Sequence, residues 1–384
     1  MVCLRRLGLC PSRRTPAVRF AVTYAPIPMI PGPTTVHPRV LEAMSRDYGS
    51  GQVEAEFLAL YDSVGKSLAR LMGTSNDVVL MTGEGMLALW GGLKSCLKPG
   101  DAVLTVGTGV FGDGFADMAL SMGCKVEKLS LPYNSTIGCH DSLERIEAAL
   151  RRVRPVMITA VHCETPSGTL NPLAELGRMK QDLGIPLFLV DAVASLGGTP
   201  VRADAWGVDL LLAGLQKCLS APPSMSMAGI SDAAWQRMKD VGYQGYDSLL
   251  PLRTVREDGR CPYTPYWHGL AALRAALDMI EEESPQAVFA RHEKVAEQCR
   301  QGLAGLGMEL FPEPGAVASP TVTAARIPQG RDWPGWRQSL RERGLIVGGS
   351  FGPMAGKVFR LGHMGMQADA GLMAKALDVL AKAL

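Results

Sequence analysis

The chain has 384 residues, is 47% hydrophobic and 20% charged, and carries 39 Lys and Arg against 37 Asp and Glu, a formal net charge of +2. This is globular composition in a chain longer than one compact core usually holds, so disorder is excluded and two closely packed domains are expected. The balanced charge argues against nucleic acid or an anionic membrane as partner, and the lack of an apolar run of spanning length or a secretory leader reads as a soluble protein.

Residues 1–26 contain arginines and no acid, and the first acid in the chain is Glu42. That composition fits an organelle transit peptide, a disordered extension or a misassigned start, and nothing catalytic is expected there. The nine cysteines are scattered, with no C-x-x-C pair and no metal-ligand spacing, which points to a reducing, cytoplasmic setting and no bound metal.

In chain order, short apolar runs at 77–81, 102–106, 156–161, 187–190 and 210–213 read as buried strands. Helical patterns fall between them at 86–97, at 141–152 with Ser142 as a possible cap, and at 173–183. The alternation predicts an α/β fold with a mostly parallel sheet flanked by helices. Beyond Pro285 the order changes to a helix at 287–306, a strand at 321–327, a helix at 333–343, a strand at 345–347 and a last helix at 368–384. The expected division is an extension at 1–26, a large domain at 27–284 and a smaller α+β domain at 285–384.

Two strands end on charged residues. Leu187-Phe188-Leu189-Val190 runs into Asp191, and Leu210-Leu211-Leu212-Ala213-Gly214-Leu215-Gln216 runs into Lys217, 26 positions later. In open parallel sheets ligands sit at the carboxyl ends of strands. A vitamin B6 aldehyde needs both groups: a lysine amine that forms a Schiff base and moves protons, and a carboxylate beside the pyridine nitrogen. An ordinary strand-end aspartate with an unrelated surface lysine is the plain alternative. A competing signal is Gly107-Thr108-Gly109-Val110-Phe111-Gly112, which follows the 102–106 run and precedes Glu127 by the spacing of a dinucleotide site.

Gly214-Leu215-Gln216-Lys217-Cys218-Leu219-Ser220-Ala221-Pro222-Pro223 resembles the lysine segment of the class V aminotransferases, the family of the alanine–glyoxylate and serine–pyruvate enzymes. Ile30-Pro31-Gly32-Pro33-Thr34 is similar to that family's amino-terminal substrate loop, and His162-Cys163-Glu164-Thr165-Pro166-Ser167-Gly168 to its cofactor-lining loop. Gly356-Lys357-Val358-Phe359-Arg360-Leu361-Gly362 resembles its carboxylate-binding arginine segment, and the likeness runs from about residue 27 to the end.

The resemblance implies a fold-type I aminotransferase in which Lys217 is catalytic, Asp191 pairs with the ring nitrogen and Phe111 stacks on the ring. It also implies that Arg360 binds the substrate carboxylate and Tyr48 lines the substrate pocket. Thr165 would meet the ring hydroxyl, and Gln216 the 5′ substituent. Tyr263-Thr264-Pro265 resembles the segment that reaches into a partner's pocket, so Thr264 would complete the site in trans in a homodimer or homotetramer. His162 and His363 are left between lining the site and packing.

Gly83-Glu84-Gly85 stands where the family places a small hydroxyl residue under the cofactor's phosphate. A carboxylate at that helix N-terminus disfavours a second anion and suits a neutral hydroxymethyl group. The Gly-Glu pair is similar to that of the pyridoxamine–pyruvate branch of the family, as are Leu131-Pro132-Tyr133-Asn134 and Arg360-Leu361-Gly362-His363-Met364-Gly365. There the B6 compound is a substrate: pyridoxamine and pyruvate become pyridoxal and L-alanine in vitamin B6 degradation, with no tightly bound cofactor. The chain departs from that branch at Phe351, where it has a second arginine, and at Phe111, where it has a tyrosine. The alternative is an alanine–glyoxylate or serine–pyruvate aminotransferase that retains pyridoxal 5′-phosphate.

Overall fold

The computed structural model describes residues 27–384, and the reading of 1–26 lies outside the described residues. A seven-stranded sheet runs in the order Asp77–Thr82, Met225–Ile230, Leu210–Gly214, Leu187–Asp191, Met157–Val161, Ala102–Gly107, Lys125–Ser130. Met225–Ile230 is antiparallel to its two neighbours, and the other pairings are parallel.

The central strands are apolar at successive positions because both faces are covered. Phe188 and Val190 join the core on one face with Leu104, Leu211 and Leu273. Leu187 and Leu189 join the other with Leu93, Phe115, Leu212 and Trp235. This period of two, with apolar residues in both phases, is what the uninterrupted runs encode.

Two strands gave no apolar run. Lys125–Ser130 is an edge strand whose sequence KVEKLS alternates with charge, and Met225–Ile230 is rich in Met, Ser and Gly. Ser142 is the first residue of the helix Ser142–Val153, but its hydroxyl accepts from Gly138 N at 2.9 Å and does not cap the helix, whose N-cap position is Asp141.

A second, four-stranded sheet runs in the order Ile27–Met29, Leu345–Gly349, Val358–Gly362, Val322–Arg326, with only the first pair parallel. Residues of the helices Pro285–Gly305, Trp333–Glu342 and Ala370–Lys382 share its core, among them Val295, Leu303, Trp336, Leu340, Met373 and Leu380. The strand Ile27–Met29 belongs to this smaller sheet, so a division at 284/285 would separate hydrogen-bonded neighbours. Three residues with no alternating pattern of their own acquire strand geometry by pairing with Leu345–Val347.

Candidate active site

Asp191 is the last residue of Leu187–Asp191 and sits beside Leu212 in the next strand, which leads directly to Lys217. The parallel pairing thus brings the two charged ends to one edge. There they line a cleft of about 200 Å³ with Glu84, Phe111, Thr165 and Gln216. Met86, Leu89, Cys163, Val193 and Ala194 complete its wall.

The Lys217 amine donates to the carbonyl of Pro31 at 2.6 Å, while Thr34 Oγ1 donates to the Lys217 carbonyl at 2.8 Å. Gly32, between them, has φ +89°, and a Cβ there would fall 2.6 Å from Nζ, so only glycine lets this loop close over the lysine. Burial holds the lysine pKa below its ordinary value, and the nearby charge of Arg360 pushes the same way, against Cys163, Cys218 and Asp191. More of the amine is therefore free to act as nucleophile or base at neutral pH than for an exposed lysine.

Asp191 Oδ1 accepts from Val193 N at 2.7 Å. Burial pushes its carboxyl up to about 6, opposed by that backbone N–H and by Lys217, so it carries its charge at neutral pH. A buried carboxylate with one oxygen uncommitted suits a protonated ring nitrogen.

Arg360, in the strand Val358–Gly362, is buried; its Nε donates to Gly349 O at 2.7 Å and its Nη1 to Thr165 O at 3.3 Å. Its guanidinium lies 4.7 Å from the centre of the Phe351 ring. Burial lowers its pKa to about 10, leaving it charged at neutral pH.

Glu84 occupies the N-cap of the helix Gly85–Cys96, yet its side chain makes no capping bond. Its Oε2 accepts instead from Gln216 Nε2 at 2.9 Å, and Gln216 Oε1 is left buried with no partner.

Phe111 lies in the first turn of the helix Val110–Ser121, with Gly109 at the N-cap. The dinucleotide reading of this glycine loop fails on one residue. Glu164, fully buried, accepts from Phe111 N at 3.3 Å and from Gly112 N at 2.6 Å, so the N–H groups of this helix end are already taken by a carboxyl supplied by the chain. Glu164 is the only Asp, Glu, Lys or Arg between Arg154 and Glu175, which is the signal by which a buried acid could have been found.

Burial pushes the Glu164 carboxyl up to about 8, against the two backbone donors that lower it. Its native value exceeds the ordinary 4.5, so the native state binds more protons between these values, and this group's contribution to stability is lost as pH rises from about 4.5 to about 8. Glu164→Gln has no such titration. Urea unfolding at pH 5 and pH 8 is expected to show a smaller loss of stability for the variant than for the native chain; an equal or larger loss would contradict the assignment.

Three expected site residues are not among the cleft-lining residues of the single chain: Arg360, which meets the lining through the Thr165 carbonyl, Tyr48 and Thr264. Tyr48 stacks on Trp267 at 5.5 Å and donates to Ala43 O, outside the cleft lining. Thr264 lines a separate cavity with Tyr246 and Tyr263. His162 is buried between Ser195 and Trp206, and His363 between Thr323 and the Pro320 carbonyl, so each packs and neither lines the cleft. Cys163, Val193 and the Pro31 carbonyl are contributors that residue patterns alone did not single out. Among the described residues no group of His, Cys, Asp or Glu gathers to hold a metal ion, and no helix is long and apolar enough to cross a membrane.

The model of the family Aminotransferase class-V matches residues 30–355. The chain belongs to this family. An uncharacterized aminotransferase of Methanocaldococcus jannaschii is 34% identical over 90% of this chain and 89% of its own length. Two solved structures share a TM-score of 0.89 and 31% identity with it. One is the pyridoxamine-pyruvate aminotransferase from Mesorhizobium loti, covering 94% of this chain and 92% of its own. The other is the alanine–glyoxylate aminotransferase from Nostoc sp., covering 98% and 100%. This class V chain is therefore an aminotransferase with the fold-type I architecture, in a family that uses pyridoxal 5′-phosphate. Overall similarity favours neither relative, so the choice of substrate rests on the cleft.

Proposed function

We propose that this chain transfers the amino group of pyridoxamine to pyruvate, giving pyridoxal and L-alanine, in vitamin B6 degradation. The observation that carries the reading is the Glu84–Gln216 pair at the head of the helix Gly85–Cys96. Glu84 lines the cleft as an acceptor held in place by Gln216 Nε2, and it calls for an O–H such as the hydroxymethyl of an unphosphorylated B6 compound. A phosphate offers acceptors and a second anion, which costs about 4 kcal/mol per unit charge at 4 Å and an effective dielectric of 20. The only cationic side chain among the cleft residues is Lys217, against Glu84 and Asp191.

The bound B6 ring supplies the electron sink of the reaction. Lys217 removes and returns the proton at the substrate carbon, and Asp191 keeps the ring nitrogen protonated. Phe111 covers the ring face, Thr165 meets the ring hydroxyl and Arg360 holds the keto acid's carboxylate. Tyr48 and Thr264, outside the cleft of one chain, are assigned to a site completed by a second copy, in a homodimer or homotetramer. The scattered free cysteines suit a reducing cytoplasm.

A second reading, an alanine–glyoxylate or serine–pyruvate aminotransferase retaining pyridoxal 5′-phosphate, is favoured by family practice and by the equal likeness to the Nostoc enzyme. Purified protein is assayed for pyridoxal released from pyridoxamine with pyruvate, glyoxylate and oxaloacetate, and for phosphate content. Turnover with pyruvate and a chromophore lost on dialysis are expected. A yellow chromophore that survives dialysis with equimolar phosphate would decide for the second reading.

A further inference from the structure

The loop that closes over Lys217, residues 30–35, belongs to no strand or helix. One side chain from the far end of the sequence holds it down. Gln367, fully buried, donates through Nε2 to Ile30 O at 2.8 Å and to Gly362 O at 2.6 Å, and its Oε1 accepts from Thr35 N at 3.0 Å. Two carbonyls and one N–H fix the orientation of the amide, since the flipped form would set its oxygen against both carbonyls. Ile30 and Thr35 are the two ends of the loop, and Gly362 ends the strand that bears Arg360. Between those ends lie the Pro31 carbonyl, which receives the Lys217 amine, and Gly32, packed against the lysine side chain.

Gln367 is itself anchored to the lysine segment. It closes the turn Gly365–Gln367, in which Gly365 N donates to His292 Nε2 at 2.8 Å and Met366 N to Ser220 Oγ at 2.9 Å. Ser220 N in turn donates to Lys217 O at 3.0 Å. A Cβ on Gly362 would fall 2.5 Å from Ile30 O, and one on Gly365 2.6 Å from Cys218 O, so neither approach tolerates a side chain. Turn, loop and lysine segment form one hydrogen-bonded unit. Among the described residues, Gln367 is the side chain that bonds to both ends of the loop.

From these bonds we propose that Gln367 is a positioning residue that pins residues 30–35 over Lys217, keeping the amine dry and aimed at the cleft between turnovers. It does not line the cleft and acts through the Pro31 carbonyl and the cover that Gly32 provides. The role rests on Lys217 being the Schiff-base lysine, and it holds whichever amino donor the enzyme uses. The charged and titratable groups around the amine are Arg360, Asp191, Cys163 and Cys218, with Glu84 in the same cleft. None of them is carried by the loop, so releasing it changes the solvation of the amine and leaves these neighbours in place.

The test compares the native chain with Gln367→Met, which keeps the length of the side chain and removes all three bonds, and Gln367→Glu, which keeps only the acceptor for Thr35 N. Aldimine formation with pyridoxal, and in parallel with pyridoxal 5′-phosphate, is followed by absorbance against pH. Values of kcat and KM are measured with the amino donor and keto acid that the native chain accepts best. In both variants water reaches the amine, so aldimine formation is expected to set in at higher pH than in the native chain. The kcat value falls about tenfold or more, the scale of a misplaced catalytic group. KM for the keto acid changes by less than about twofold, because Arg360 is held by Gly349 O and Thr165 O and not by Gln367. A residue that served stability alone would lower the melting temperature and leave the titration where it was, and that result overturns the inference. Rapid hydrogen exchange at Thr35 N–H in the native chain, which needs no variant, also overturns it. Borohydride trapping of pyridoxal at a residue other than Lys217 overturns the inference together with the reading of the lysine. Trapping at Lys217 with an unmoved titration overturns the role of Gln367 alone.

Discussion

Lys217→Ala is expected to lower transamination on the order of 10⁴-fold or more, the scale of removing a group that is both nucleophile and proton carrier. No other side chain lining the cleft carries an amine that could form the Schiff base. Glu84 and Asp191 are acids, and His162 and His363 lie packed elsewhere with their pKa values driven down to about 3 by burial. Single-turnover absorbance with pyridoxamine and pyruvate measures the loss. Borohydride reduction in the presence of pyridoxal, followed by peptide mapping, reports the covalent link separately; the native chain is labelled at Lys217 and the variant is not. Because the lysine pKa is depressed, the acid limb of the native pH profile is expected below the 10.5 of an ordinary lysine. Substantial turnover by the folded variant would remove Lys217 from the reaction.

Glu84→Ser is expected to improve binding of pyridoxal 5′-phosphate by about 100-fold, since it deletes a negative charge at a helix N-terminus where a phosphate would sit. Full Coulomb energy at an effective dielectric of 20 would give more, but Glu84 is partly exposed, and solvent screens it. The same change removes the acceptor of the Gln216 amide and is expected to weaken unphosphorylated pyridoxal by about tenfold, the worth of one charge-assisted hydrogen bond. Equilibrium titration of each aldehyde, followed by absorbance, reads the two affinities. A variant no better than the native chain at holding the phosphate compound would rule out Glu84 as the excluding charge.

The strand ends carrying Asp191 and Lys217 were legible because burial on both faces demands continuous apolar sequence, and a charged residue at the end of such a run is conspicuous. Glu84, Phe111, Thr165 and Gln216 were placed by segment resemblance, and the cleft gathers all four with the lysine. Tyr48 and Thr264 came from the same likeness and do not reach the cleft of the single chain, since a local pattern carries no information on what the fold packs against it. The edge strand Lys125–Ser130 escaped because solvent lets its sequence carry charge, and Ile27–Met29 because three residues are too few for a period. Glu164 was quoted within a motif and its task went unread. Knowing that it caps the helix bearing Phe111 required the fold that brings residues 164 and 111 together.

The pairing of Ile27–Met29 with Leu345–Val347 also fixes an order of events on the ribosome. The first of these strands emerges about 300 residues before its neighbour, so this pairing cannot form until Leu345–Val347 has been made. Residues 30–34 follow that strand directly and carry the carbonyl that receives the Lys217 amine. The strands carrying the aspartate and the lysine are made well before that, while the loop over the amine is anchored only once Ile27–Met29 pairs with Leu345–Val347. A nascent or truncated chain lacking Leu345–Gly349 would therefore hold its lysine without an anchored cover.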